Sequence, residues 1–151
     1  MVLESVLAYL HLLAIFTMMV FIASEAALCR AEWLNAKVVA RLARVHLIYG
    51  IAALLVLATG LARIVWGVRG PVFYGTNWLL HAKVGMFVVV ALISIKPTLT
   101  FRRWARAQRA GGALPGQSEV KATRRLVMAQ AHLIALIPLA AVFLARGFGG
   151  K

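Results

Sequence analysis

At 151 residues and 63% hydrophobic composition, the chain is more apolar than a soluble domain, where about 45–50% is usual, and its length suits one membrane bundle with no second domain. The formal charge of +13 comes from 17 Lys and Arg against 4 Asp and Glu; these basic residues cluster between apolar runs, as topology signals do, which excludes nucleic acid as a partner. Cys29 is the single cysteine, which rules out an intramolecular disulfide and a thiolate zinc site.

Taken in order, the chain predicts four spans in a single domain over residues 1–151. The first, 2–28, is apolar apart from Glu4, His11 and Glu25 and ends at Arg30. Glu4 in place of a basic start argues against a cleaved signal peptide. Glu4, His11, Met18 and Glu25 recur every seven residues, which puts the polar groups on one face and leaves the rest to lipid. A basic link with Lys37, Arg41 and Arg44, itself helical, feeds the second span, 45–66, and Gly67 with Gly70-Pro71 stops it.

The third span, 76–97, opens with Thr76 or Asn77 as N-cap and carries His81 and Lys83 in its first third. An ionisable group there costs at least ~2.5 kcal/mol on insertion scales, so it is expected to face the bundle interior. After Pro97 comes a basic extension with Arg102, Arg103, Arg106 and Arg109 in the headgroup region. Gly111 to Gly116 form a break, Ser118 is the expected N-cap of the last helix, and the fourth span is 126–145, bent at Pro138.

Twelve of the 17 basic residues fall on the links after spans one and three. By the positive-inside rule these links are cytoplasmic, both termini are periplasmic, and the setting is a bacterial inner membrane crossed four times. His11 and His81 then share an outer layer, His46 and His132 an inner one. If the helices follow one another around the bundle, each layer sets two imidazoles across a diagonal, as one haem iron held from both faces requires. Gly50 and Gly85, each four residues after a histidine, would clear space for the macrocycle. Arg63, Lys83 and Arg69 outside, and Arg124 and Arg125 inside, would pair with propionates. An alternative partner for His46 is Glu25.

Ala8-Tyr9-Leu10-His11-Leu12-Leu13-Ala14, Tyr49-Gly50-Ile51-Ala52-Ala53, Ala58-Thr59-Gly60-Leu61-Ala62-Arg63 and Lys96-Pro97-Thr98-Leu99 together resemble a bacterial inner-membrane family catalogued as a domain of unknown function, over essentially the whole chain. More remotely, Tyr9-Leu10-His11 with Trp78-Leu79-Leu80-His81-Ala82-Lys83 is similar to the membrane-bound protoporphyrinogen oxidase family, four-helix proteins that bind haem b. That likeness implies a catalytic pair, His11 and Lys83, handling protons and substrate carboxylates. The paired histidines also resemble, in architecture alone, the transmembrane b-type cytochromes.

The expectation is therefore an all-α integral membrane four-helix bundle holding one or two haem b groups on His11, His81, His46 and His132. It would pass electrons between a quinol or soluble redox partner and an acceptor, within the lipid bilayer, alone or as a homo-oligomer. An oxidase of the protoporphyrinogen kind and a non-catalytic scaffold or transport subunit are the alternatives.

Overall fold

The computed structural model describes residues 2–67, 72 and 75–148. Four long helices dominate it: α1 Val2–Leu28, α2 Ala36–Trp66, α3 Trp78–Arg109 and α4 Gln117–Ala145, with a 3-10 turn, Ala31–Trp33, between α1 and α2. All four are long and apolar enough to cross a membrane. Among the described residues there is no strand, and the chain is an all-α four-helix membrane bundle, an arrangement that satisfies every interior backbone group within its own helix. Arg69, the Gly70-Pro71 stop and Lys151 lie outside the described residues.

Helix α1 packs on α2 and α4, and α3 packs on the same two, so α1 and α3 face each other across the diagonal. The interior is built from one face of each helix. On α1 it takes His11, Ala14, Met18, Ile22 and Glu25, three or four residues apart, as a helix of 3.6 residues per turn requires. On α2 it takes Leu42, His46, Tyr49, Ala52 and Val56. The other faces expose Phe16, Leu54, Leu92 and Leu139, which suits contact with lipid.

Three helices, α2, α3 and α4, outrun their expected spans. Helix α2 begins at Ala36, where the Asn35 side chain accepts from the Val38 amide at 3.0 Å; its basic first turns are carried by the buried Val39 and Leu42. Helix α3 starts on the expected Asn77 cap, whose side chain accepts from the Leu79 amide at 2.9 Å, but it does not stop at Pro97. Proline withholds one backbone donor and crowds the carbonyl four residues back. Beside the Ile93 carbonyl so affected, the Thr98 hydroxyl donates to the Ser94 carbonyl at 2.7 Å, and the helix continues unbroken to Arg109. Past the proline, Phe101 and Trp104 are buried, with ring centroids 5.5 Å apart.

At 32 residues, α3 is about 48 Å long, well beyond a hydrocarbon core of roughly 30 Å. The basic extension is thus the projecting end of the same helix. Arg103 there pairs with Glu119, and the Trp104 indole donates to that same carboxylate at 3.1 Å. Helix α4 begins at Gln117 with Gly116 at the cap position and no side-chain cap, so Ser118 lies inside its first turn, and the helix runs on through Pro138.

Candidate functional site

Two polar centres interrupt the apolar interior. The deeper is built on Glu25 of α1, His46 of α2 and Thr98 of α3. Glu25 has no exposed surface and His46 is 8% exposed. His46 uses both ring nitrogens: Nδ1 lies 2.9 Å from Glu25 Oε2, and Nε2 lies 2.6 Å from Thr98 Oγ1. Aromatic rings hold the imidazole in place, with Tyr49 at 5.7 Å and Phe101 edge-on at 5.3 Å between centroids.

The hydrogen-bond directions fix what this centre can hold. The Thr98 hydroxyl proton goes to the Ser94 carbonyl, so Oγ1 is left to accept and His46 Nε2 must donate. One proton then remains for the Nδ1–Oε2 contact. It sits on the imidazole, giving imidazolium and carboxylate, or on the carboxyl group, giving two neutral partners. Both arrangements have zero net charge, so moving that proton requires no change of charge inside the bilayer. The second carboxylate oxygen, Oε1, is buried with no hydrogen-bond partner among the described residues.

The outer centre is built on His11. Its Nδ1 meets Thr59 Oγ1 at 2.8 Å, and since Thr59 donates to the Leu55 carbonyl at 2.6 Å, the imidazole is the donor. Gly60 packs against the ring: a Cβ at this position would lie 3.3 Å from His11 Cε1, so the imidazole would have to give by a few tenths of an ångström. Arg63 of α2, one turn beyond Gly60, and Lys83 of α3 are both partly buried.

The two expected histidine pairs do not form. His81 is exposed, its Nε2 donating to the Gly75 carbonyl at 2.9 Å, and His132 is exposed with Nδ1 2.6 Å from the Met128 carbonyl. Helical phase fails in both layers, and in the inner layer level fails too: Cys29 meets Val120 and Ala26 meets Arg124, which puts His132 about two helical turns from the level of His46 and Glu25. His81 is two residues from the buried Leu79, and His132 two from both buried Gln130 and buried Ile134; two residues turn a helix by about 200° and point the ring away from the core. Lys83, four residues from Leu79, returns to the inner face and is partly buried.

A Cβ on Gly50 or Gly85 would meet nothing within 4 Å, so neither glycine lines a closed slot for a macrocycle. Among the described residues no group of three or more His, Cys, Asp or Glu is placed to hold a metal. As placed, the four imidazoles do not fit a haem held from both faces. Arg124 also has another role, with Nε 3.4 Å from the Ala26 carbonyl at the α1–α4 contact.

Thr98 and Thr59, the hydroxyl partners of the two buried histidines, are not among the expected site residues. The signal for Thr59 is one of level: in antiparallel neighbours it falls opposite His11 just as His46 falls opposite Glu25, and it sits inside an otherwise apolar run, whereas Thr98 follows Lys96-Pro97 at the start of the basic extension.

No curated protein and no solved structure matches the chain, so nothing in these comparisons extends the likeness to protoporphyrinogen oxidases. One family model, described as "Predicted membrane protein (DUF2214)", matches residues 3–149. With four membrane-length helices and nearly its whole length matched, the chain belongs to the DUF2214 family of membrane proteins.

Proposed function

We propose that this protein handles protons inside the bilayer, with Glu25 and His46 as the exchanging pair and Thr98 as the group that orients the imidazole. The observation that carries this reading is that both ring nitrogens of a buried histidine are engaged, one by a fully buried carboxylate and one by a hydroxyl whose own proton is committed elsewhere. An intramembrane carboxylate is expensive to keep, and such residues commonly mark proton or ion pathways. Glu25 Oε1 is the open end of the centre: a proton delivered there is balanced by transfer of the Oε2 proton onto Nδ1, giving carboxyl and imidazolium, and it leaves again at Oε1 by the reverse step, while Nε2 stays bonded to Thr98. The basic ends of α2 and α3 face the cytoplasm in this reading, so the pair serves the cytoplasmic third of a bacterial inner membrane.

Infrared spectroscopy of the protein in liposomes tests it. Transfer to deuterated buffer should shift a carboxyl or carboxylate band in wild type, and that band should be missing in Glu25→Gln. A Glu25 band that never exchanges in the folded protein, or the absence of any band that depends on Glu25, would remove the reading. The redox expectation has its own outcome in the same preparation, since a low-spin haem spectrum lost on changing His46 would favour electron transfer over proton exchange.

A further inference from the structure

A recess opens at the basic end of the bundle, between the end of α1, the 3-10 turn and the first turns of α4. Its volume is about 220 Å³, and three cations line it, Arg30, Lys121 and Arg124, with Glu32 as the one acidic group. The floor is closed where the Cys29 thiol donates to the Val120 carbonyl at 3.9 Å. Two of the cations are held in place by the fold. Arg124 Nε donates to the Ala26 carbonyl at 3.4 Å, and its terminal nitrogens make no hydrogen bond among the described residues. The Arg30 guanidinium lies over the Trp33 ring, 4.9 Å from the centroid, as a cation on an aromatic face does. Among the described residues none of the three pairs with Glu32, so the recess presents its positive charge to whatever enters it.

We infer that this recess binds the phosphate of an anionic phospholipid. Two guanidinium groups and an ammonium match phosphate oxygens in charge and in hydrogen bonding, and basic pockets between membrane helices take lipid headgroups in this way. Two observations assign the phosphate to a lipid. The recess is smaller than the ~300–1,000 Å³ that encloses a whole small molecule, so it suits the head of a larger one whose chains stay outside. It also lies where the apolar run of α1 ends at Leu28, beside Trp33, which is 55% exposed. A tryptophan at the end of a span marks the headgroup level, where lipid phosphates are found. Binding here is independent of proton exchange at Glu25 and His46.

The test uses the full chain in nanodiscs of phosphatidylcholine with phosphatidylglycerol added, and native mass spectrometry to read the lipid that stays bound. Wild type should keep phosphatidylglycerol in preference to the neutral lipid. Arg30→Gln, Lys121→Gln and Arg124→Gln should each lower retention roughly fivefold, as loss of one basic residue beside a lipid phosphate implies. Glu32→Gln removes the one opposing charge and should raise retention. Arg109→Gln, exposed on the projecting end of α3 and outside the recess, should leave it unchanged. Glycerol phosphate, which has the phosphate without the chains, should not displace the lipid. Arg124→Gln also gives up the bond to Ala26; Lys121 is exposed and supports no such contact among the described residues, so Lys121→Gln decides the matter if Arg124→Gln does not fold. Equal retention in wild type and Lys121→Gln, an equal loss in Arg109→Gln, a fall in Glu32→Gln, or displacement by glycerol phosphate overturns the inference.

Discussion

Removing the Glu25 carboxylate tests the inner centre by its energetics. Glu25→Ala leaves His46 Nδ1, 2.9 Å from the lost oxygen and 8% exposed, with no acceptor and no access to water. Breaking a buried pair from one side typically costs about 3–5 kcal/mol, and His46→Ala should cost as much because it strands the carboxylate. The double variant strands neither group. Its loss should therefore fall short of the sum of the single losses by about 1.5–3 kcal/mol, the usual worth of a hydrogen bond to a charged group. Unfolding by added dodecyl sulfate in mixed micelles, followed by tryptophan fluorescence, supplies the four stabilities. Glu25→Gln is the control: it keeps the shape and one acceptor, and should cost less than Glu25→Ala. Additivity within about 0.5 kcal/mol would show that the two side chains are neighbours without being partners.

Other expectations are simpler. Reporter fusions after Arg109 should give a cytoplasmic signal and fusions after Phe148 a periplasmic one, and the reverse pattern would undo the assignment of inner and outer ends. Gln130 is fully buried, and neither polar atom of its amide has a partner among the described residues. Gln130→Met should accordingly stabilise the bundle by about 1–3 kcal/mol; a loss of stability would reveal a partner, such as a bound water. Cys29 is inaccessible, and burial together with the Glu25 charge pushes its thiol up to about 12. Maleimide should label it in dodecyl sulfate and not in the folded protein at neutral pH. Since the folded value lies above the unfolded one, the contribution of this thiol is fully present below about pH 8.5 and is lost as pH rises toward 12; fast labelling of the folded protein at neutral pH would contradict this placement.

Apolar runs make the four helices legible in the sequence, because a helix that is hydrophobic on every side has nowhere to lie except in a membrane. Helix ends are less legible. Lys37, Arg41 and Arg44 hide the first turns of α2 from a count of apolar residues, although Val39, Leu42 and Val45 are buried at three-residue spacing. Pro97 reads as a stop, whereas the ring tolerates a helix whose far side is secured by Phe101 and Trp104.

The site is partly legible. Glu25 as an alternative partner of His46 follows from their common level at the inner end, and the structure places them in contact. The outer histidine pair fails because level along a helix carries no information on rotation about it, and the inner pair fails in level as well. Leu79 and His81 are about 3 Å apart along the axis of α3 but nearly opposite around it. Lys83 shows the same rule from the other side, as four residues bring it back to the inner face.

The position of the protons on His46 decides most directly whether Glu25 and His46 form a proton-exchanging pair. Solid-state NMR of the protein in bilayers, with ¹⁵N-labelled histidine and His46→Gln to assign the signal, reads each ring nitrogen separately. Nε2 should carry a proton, and Nδ1 should show a strong hydrogen bond that changes in Glu25→Gln. An Nε2 without a proton, or an Nδ1 signal indifferent to Glu25→Gln, would contradict the assignment.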